Sequence, residues 1–298
     1  MIMDLMCYLD EKRAVVEETL KDYFPVVEGP GAELARAMNY SLFASGKRLR
    51  PILCMAGAEA VGGDPERVLS VACGLELIHT YSLIHDDLPS MDDDELRRGK
   101  PTNHMVFGEA LAILAGDALL TEAFRLMAMT DLNDKICPDT LNEVITMIAS
   151  AAGAKGMVGG QAVDIQMEGK KIDPSLMEYI HTHKTGALIS ASVLSGVMLG
   201  GGSDSQKETA VSYGNKIGLA FQIADDILDI EGSTSEIGKP AGSDQEKGKN
   251  TYPAVYGLSL SKERLNDVII SAIKDLEQFD FRAEPLRQIA RYIIVRKK

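Results

Sequence analysis

The sequence lacks the features that mark secreted, membrane-spanning or zinc-binding proteins. Its four cysteines show no C-x-x-C spacing, which argues against a disulfide framework or a zinc site and favours thiols in a reducing compartment. Asp4 and the Asp10-Glu11 pair interrupt the N-terminus, so no secretory signal is predicted. The most apolar stretches, 110–120 and 187–200, are shorter than the 18 or so residues of a membrane span. We therefore expect a cytoplasmic protein.

Basic residues, linkers and strand patterns are also scarce. The chain has 31 basic and 44 acidic residues, and nothing in it predicts a nucleic-acid-binding surface. No Pro/Ser-rich linker, low-complexity tract or internal repeat divides residues 1–298, and 45% of the residues are hydrophobic, which favours a single domain. Ala, Leu, Met, Glu and Lys dominate the periodic segments, without convincing period-two alternation. The sequence thus predicts an all-α, single-domain bundle of roughly ten or more helices.

Against this background, an acidic cluster occurs twice, as DDLPSMD at 86–92 and as DDILD at 225–229, each after an apolar, helix-like run. In the second cluster, Asp225 and Asp229 lie only about 40° apart around a helix, so their carboxylates can converge on one ion. In the first, the outer aspartates would point apart by about 240° on an unbroken helix. Pro89 favours a break there, which would fold the chain back.

The ligand type indicates the metal. Carboxylates crowded in this way repel each other and need a counter-charge, and oxygen ligands without His or Cys suit Mg²⁺. A Mg²⁺ held by a few carboxylates completes its shell with water and substrate phosphate. The plainer interpretation, two solvated charge runs, is disfavoured because both clusters follow apolar segments. Neither cluster has the spacing of an EF-hand with a Gly at its turn, which argues against a non-catalytic Mg²⁺- or Ca²⁺-binding helical scaffold.

Two compact basic sets accompany the acidic clusters, GKRLRP at 46–51 and RRGKP at 97–101. Arginine offers a fixed fork of donors to phosphate oxygens and lysine a mobile point charge, so such sets can hold a diphosphate without metal. Each set alone is more often a solvated helix end. Together with two Mg²⁺-type clusters they indicate two polyphosphate groups, one bound through metals and one bound by guanidinium and ammonium groups.

These motifs resemble the trans-isoprenyl diphosphate synthase family, and within it the bacterial farnesyl diphosphate synthases. Ser45 departs from the Gly of many relatives, but the basic residues after it remain. The family fold is a helical bundle around a central cavity, usually a homodimer. The matching stretches, in the family's order, are SGKRLRP (45–51), LIHTYSLIHDDLPSMDDDELRRGKPTNH (77–104), FGEALAILAGDALL (107–120), GGQAVDI (159–165), HKTGALI (183–189), FQIADDILDI (221–230) and GKNTYPAVYGL (248–258).

The resemblance implies a reaction and a role for each matching residue. An allylic diphosphate ionises, isopentenyl diphosphate attacks the carbocation, and a proton is lost. Several Mg²⁺ ions bridge the leaving group to Asp86, Asp92 and Asp225, with Asp87, Asp226, Asp229 and Asp164 as partial or more distant ligands and Gln161 orienting water. Allylic diphosphate is assigned to Arg97, Lys184, Lys239 and Lys249, with Thr185 and Gln222 beside the cation, and isopentenyl diphosphate to Lys47, Arg50, His79 and Arg98. Without its neighbours, His79 would be interpreted as a core histidine.

Product length is predicted from the helix before the first cluster. Tyr81 and Ser82 lie five and four residues before Asp86, about 140° and 40° away on an ideal helix. A Tyr81 ring at the tunnel floor would stop elongation at farnesyl diphosphate, with geranylgeranyl diphosphate as the alternative product. An aromatic on an apolar helix also commonly packs in the core. A terpene cyclase or a head-to-head condensing enzyme would carry paired acidic clusters without the basic sets for a second diphosphate.

Overall fold

The computed structural model describes residues 3–24, 28–132, 136–170, 172–231 and 251–296. This part of the chain folds into α-helices with one very short antiparallel strand pair, which confirms the predicted all-α class and the expected number of helices. The α-helices are α1 (Leu5–Tyr23), α2 (Ala32–Leu42), α3 (Leu49–Ala60), α4 (Leu69–Asp86), α5 (Asn103–Phe107), α6 (Glu109–Ala128), α7 (Pro138–Ala152), α8 (Met157–Met167), α9 (Pro174–His181), α10 (Ala187–Leu199), α11 (Asp204–Glu231), α12 (Tyr252–Tyr256), α13 (Leu258–Asp275) and α14 (Glu284–Val295).

Short 3₁₀ turns and one π-turn connect some of these helices. The 3₁₀ turns span Pro65–Val68, Leu276–Gln278 and Phe281–Ala283, and the π-turn at Thr182–Gly186 joins α9 to α10. Single π-turns inside helices commonly occur at functional sites, because the extra residue changes the direction in which side chains point. This one carries two of the residues predicted from the resemblance.

Helices α3, α4 and α10 form the centre of the protein. Almost every residue of α10 is buried, as expected for a helix that is apolar on all sides. The segment Pro65–Asp86, which includes α4, is long and apolar enough to span a membrane by length and composition, but 67% of its apolar 18-residue window is buried inside the protein. Helix α4 packs on α3 and α6, and α10 packs on α3 and α11. The hydrophobicity of α4 is thus accounted for by its contacts with other helices.

The buried apolar side chains form two clusters, one on each side of the α3 and α10 pair. One contains residues of α4 and α6, the other residues of α11, α13 and α14. Helices α3 and α10 contribute to both, with Cys54 and Leu188 in the first and Leu53 and Ile189 in the second. The helices that carry the two acidic motifs, α4 and α11, therefore belong to different clusters, with α3 and α10 between them.

The strand pair is a correction to the expectation of helix throughout. Strand β1 (Leu96–Arg97) pairs with β2 (Lys100–Pro101). Arg98 and Gly99 form the turn with φ of 54° and 75°. Two positive φ angles in a two-residue turn match the twist of a tight hairpin. Strands of two residues are too short to show period-two alternation in the sequence, yet this hairpin sets the positions of both arginines of the second basic set.

Candidate active site

The first acidic cluster folds back on the end of α4. The helix ends at Asp86, and the backbone N–H of Asp92 donates to the carbonyl of Asp86 at 2.9 Å. The turn is closed by a hydrogen bond from Met91 N–H to the Leu88 carbonyl at 2.9 Å, with Asp93 at φ of 52°. The break predicted from Pro89 is confirmed, and it brings the two outer aspartates of the cluster next to each other.

Asp86 lies in an environment that disfavours its charge. Burial raises the pKa of its carboxyl group to about 6; Lys184 opposes this shift, and Asp92 and Asp87 add to it. A half-buried carboxyl group beside a second carboxylate is costly to ionise unless a cation is present. The arrangement therefore suits a bound cation, and it places Asp86 near Lys184, which comes from the π-turn on another part of the chain.

Asp87 is engaged by the hairpin. Arg97 Nε donates to Asp87 Oδ1 at 2.7 Å and to Oδ2 at 2.9 Å, and its Nη2 lies 2.5 Å from Oδ1. The Asp87 side chain is almost fully buried, so the pair is largely shielded from water. Asp87 was predicted as a partial metal ligand, but in this structure it holds the guanidinium group of Arg97. It thus positions the arginine that the resemblance assigned to the allylic diphosphate.

Lys184 is held near the same place by α8. Its Nζ lies 2.7 Å from Asp164 Oδ2. Gly160 of α8 makes this approach feasible, because a Cβ atom there would collide with the backbone of Lys184. The neighbouring Gln161 is buried, and neither its amide nitrogen nor its amide oxygen has a hydrogen-bond partner among the described residues. A buried amide with an open donor and an open acceptor is expected to bind water or a ligand.

The second acidic cluster occupies the last turns of α11. Asp225 is 55% exposed, and its Oδ1 accepts a hydrogen bond from Arg296 Nη2 at 2.7 Å. The same Arg296 nitrogen donates to the Phe221 carbonyl at 2.9 Å, and the guanidinium carbon lies 4.4 Å from the centroid of the Phe221 ring. From the sequence, Arg296 was expected at most to help close the site over isopentenyl diphosphate, as part of a basic C-terminal sequence. In this structure it pairs with the second acidic cluster.

Asp226 points away from Asp225 into the protein. It is 2% exposed, and its two oxygens accept hydrogen bonds at 2.8 Å from Gln222 Nε2 and from the backbone N–H of Tyr252. Gln222 Oε1 in turn accepts from the Thr185 hydroxyl at 2.9 Å. The structure thus brings Thr185 and Gln222 together as the resemblance implied. It gives Asp226 contacts that fix Gln222 and α12, whereas Asp226 was predicted as a metal ligand. Asp229 is also buried.

Three of the residues predicted to bind isopentenyl diphosphate, Arg50, His79 and Arg98, lie close enough to affect one another's charge. Burial lowers the pKa of Arg50 to about 10, and Arg98 adds to this shift. The pKa of His79 lies well below its ordinary value because the ring is desolvated and faces Arg50 and Arg98. Arg98 Nη1 donates to the Ser45 carbonyl at 2.5 Å, so the hairpin touches the segment that carries Lys47. A neutral histidine among guanidinium groups is suited to an anionic ligand.

The first arginine of the first basic set, Arg48, has a different role. Arg48 is buried, and its Nη1 donates to Glu76 Oε1 at 2.8 Å while Nη2 donates to the Leu42 carbonyl at 2.7 Å. Its φ of 51° is unusual for a residue with a side chain. This conformation turns Arg48 into the protein.

The two residues predicted to set product length lie on α4. Tyr81 is 6% exposed, and its pKa is raised to about 12 by burial and by Asp86. The Ser82 hydroxyl donates to the His79 carbonyl at 2.9 Å, so it bonds to its own helix. Two residues predicted to bind the allylic diphosphate, Lys239 and Lys249, lie outside the described residues.

The described carboxylates fit a metal ion whose coordination shell is completed by substrate phosphate. Among the described residues, no three Asp, Glu, His or Cys side chains converge closely enough to form a metal site by themselves. Mg²⁺ commonly binds through one or two carboxylates together with water and substrate phosphates. The adjacent Asp86 and Asp92, the exposed Asp225 and the open amide of Gln161 match that mode of binding.

Known proteins match this chain over nearly its whole length. The polyprenyl synthetase family model matches residues 32–284. Farnesyl diphosphate synthase of Geobacillus stearothermophilus is 50% identical over 289 residues, which cover 97% of each chain. Geranylgeranyl diphosphate synthase of Cyanophora paradoxa is 45% identical over 98% of this chain and 97% of its own. The crystal structure of geranylgeranyl pyrophosphate synthetase from Pyrococcus horikoshii superposes with a TM-score of 0.90 at 32% identity, covering 98% of both chains.

Proposed function

This chain belongs to the polyprenyl synthetase family, and from that premise we propose that it is a Mg²⁺-dependent farnesyl diphosphate synthase. It would condense isopentenyl diphosphate head to tail with dimethylallyl diphosphate and then with geranyl diphosphate. One observation carries this proposal: Arg50, His79 and Arg98 lie close enough to interact electrostatically, so the chain offers basic residues for a second anion beside the one at the carboxylate clusters. An enzyme that ionises a single diphosphate has no use for a second anion site of this kind.

Ionisation of the allylic substrate is the difficult step, because it leaves a carbocation and a diphosphate anion in an apolar space. Bound Mg²⁺ would neutralise the charge that develops on the leaving group. Asp86, Asp92 and Asp225 would hold the ions. Arg97, fixed by Asp87, and Lys184, fixed by Asp164, would bind the allylic diphosphate directly. Because both cations are already held by carboxylates, little reorganisation is needed when the substrate binds.

The carbocation would be stabilised by oxygen dipoles beside the leaving group. The Thr185 hydroxyl donates a hydrogen bond to Gln222 Oε1, and Asp226 orients the Gln222 amide, so these oxygens are fixed before the reaction begins. Isopentenyl diphosphate, held by Lys47, Arg50, His79 and Arg98, would attack with its double bond. The allylic carbon–oxygen bond would break first, on ionisation, and the double bond of isopentenyl diphosphate would then form the new carbon–carbon bond to the allylic cation.

In this proposal, the departed diphosphate is the base that takes up the proton lost in the last step. The lowered pKa of His79 makes this ring a poor base, because burial and the nearby arginines disfavour its protonated form. The diphosphate anion lies next to the newly formed cation and carries the required negative charge. Lys239 and Lys249, which lie outside the described residues, belong to the same proposal as residues that bind the allylic diphosphate.

We further propose a cytoplasmic homodimer in which residues 1–298 act as one domain. An apolar patch supports the dimer: Met105, Val106, Ile113 and Leu114 of α5 and α6 are each more than 40% exposed. Contiguous exposed apolar residues of this kind commonly mark a protein–protein interface. A second copy of the chain that covers this patch would remove it from water.

Farnesyl diphosphate is the proposed main product because the Tyr81 ring is buried on the helix that leads to Asp86. A growing prenyl chain that extends along α4 would meet this ring. Geranylgeranyl diphosphate is the second candidate, since the relative from Cyanophora paradoxa that bears that name is 45% identical to this chain. The two products differ by one condensation, so the end of the tunnel decides between them.

The test is incubation with labelled isopentenyl diphosphate and dimethylallyl diphosphate, with and without Mg²⁺, followed by chromatography. We expect Mg²⁺-dependent formation of farnesyl diphosphate, and a shift toward geranylgeranyl diphosphate in Tyr81→Ala but not in Tyr81→Phe. Absence of any chain elongation would contradict the proposed activity. A wild type that already makes geranylgeranyl diphosphate, or a Tyr81→Ala variant with unchanged products, would place the end of the tunnel elsewhere.

A further inference from the structure

His85 directly precedes the first acidic cluster, but its side chain points to a neighbouring helix. Its Nε2 atom lies 3.0 Å from the carbonyl oxygen of Ile113 on α6. A carbonyl oxygen can only accept, so Nε2 carries the proton in this contact. Asp117, one turn further along α6, lies 3.9 Å from the same nitrogen. His85 thus connects α4 to α6 and takes no part in the acidic cluster beside it.

A glycine on α6 provides the space for this contact. Gly116 is buried, and a Cβ atom at this position would collide with the His85 ring, with Nε2 as the nearest atom. Any side chain at position 116 would therefore displace the atom that bonds to Ile113. The His85 ring is the end of a side chain, so it would move before the backbone of either helix does.

The His85 ring also contacts the ring of Tyr81. The two rings meet edge to face, with centroids 5.7 Å apart and planes at 83°. They lie four residues apart on α4, so they occupy adjacent turns of the same helix face. Edge-to-face contacts of this kind favour one relative orientation of the two rings. His85 therefore restricts where the Tyr81 ring can lie between α4 and α6.

From these contacts we propose that His85 is a positioning residue for product length: its bond to α6, which Gly116 makes room for, holds the Tyr81 ring across the end of the prenyl tunnel. This inference rests on the proposed function of Tyr81. His85 does not touch the reacting atoms, so its loss changes where elongation stops and leaves the chemistry of each condensation in place.

Four variants test the proposal through product ratios. In His85→Ala the ring is absent, and in Gly116→Ala the ring is displaced. Both are expected to raise the ratio of geranylgeranyl to farnesyl diphosphate, by roughly fivefold or more, with KM for isopentenyl diphosphate unchanged. In the double variant, the methyl group at position 116 has no ring to displace, so its product ratio should equal that of His85→Ala alone. His85→Gln keeps an N–H donor but not the ring, and is expected to lengthen products as well.

The outcomes separate this inference from the proposal on which it rests. If Tyr81→Ala lengthens the product while folded His85→Ala and Gly116→Ala keep the wild-type ratio, the inference is wrong and the role of Tyr81 stands. If Tyr81→Ala also has no effect, both are wrong. An additive effect in the double variant would mean that position 116 acts other than through His85. Far-UV circular dichroism shows whether each variant is folded, and His85→Ala remains informative if the added methyl group of Gly116→Ala prevents folding.

Discussion

The two acidic clusters share a motif but are built on different backbones. The first follows the end of α4 and reverses direction between Asp86 and Asp92, whereas the second lies within the continuous helix α11. In both clusters the second aspartate of the pair is bound by protein donors: Asp87 by Arg97, and Asp226 by Gln222 and Tyr252. A repeated aspartate motif therefore does not give its members equal roles. Helical phase and long-range partners decide which carboxylate faces the substrate.

The clusters also differ in the cationic side chain that lies beside each of them. Asp86 lies near Lys184, and the pKa of its carboxyl group is raised by burial. Asp225 is largely exposed and pairs with Arg296. The first cluster therefore carries an electrostatic cost that a metal would remove, while the second already has a counter-ion that a metal must share or displace. We expect catalysis to be affected most by removal of the outer carboxylates, Asp86 and Asp225. Removal of the inner carboxylate Asp226 should affect catalysis less, through the side chains that it positions.

The largest effect is expected from the outer aspartates. Asp86→Ala and Asp225→Ala should each lower kcat by at least about a thousandfold, because both carboxylates act on the leaving group. Steady-state kinetics measure this loss, and far-UV circular dichroism should show unchanged helix content. A near-normal rate in either variant would contradict the assignment of that cluster to the metal.

A smaller and different effect is expected from the inner aspartate of the second cluster. The two carboxylate oxygens of Asp226 accept one hydrogen bond each, from Gln222 and from Tyr252. Asparagine has a single acceptor oxygen, so one of the two hydrogen bonds is lost. Asp226→Asn should lower kcat by about tenfold to a hundredfold, through Gln222, with little change in the Mg²⁺ concentration needed for half-maximal activity. Asp225→Asn is the matched comparison and should raise that concentration strongly. If Asp226→Asn raised it to the same degree, Asp226 would be a metal ligand after all.

The two arginines of the hairpin allow the two diphosphate sites to be tested independently. Arg97→Ala should penalise the allylic substrate, and Arg98→Ala should raise KM mainly for isopentenyl diphosphate, each by roughly tenfold. The two residues are adjacent, so general damage to the hairpin would affect both variants alike. If both substitutions weakened only the allylic substrate, the division of the basic residues between the two sites would be wrong.

Local patterns in the sequence predicted some of this and missed the rest for a physical reason. The all-α class and the reversal at Pro89 depend on propensity and backbone geometry within a few residues, and both are confirmed. The partners of the aspartates are not local: Arg97 is 10 residues from Asp87, Tyr252 is 26 from Asp226, and Arg296 is 71 from Asp225. Such pairs form only when helices pack, so neither charge nor spacing in the sequence could reveal them.

The smallest expected effect concerns stability, and it tests the electrostatic difference between the clusters directly. The pKa of Asp86 is about 6 in the folded protein and 3.8 in its ordinary state. The folded state therefore binds the proton more tightly, so stability from this group is present at pH 4 and is lost as the pH rises through 6. Asp86→Asn should raise the free energy of unfolding of the metal-free protein at pH 7.5, by at most about 3 kcal/mol, with no gain near pH 4. Urea unfolding at both pH values measures this, with Asp93→Asn at a neighbouring exposed position as control. Equal stability of Asp86→Asn and wild type at pH 7.5 would show that the first cluster carries no such cost.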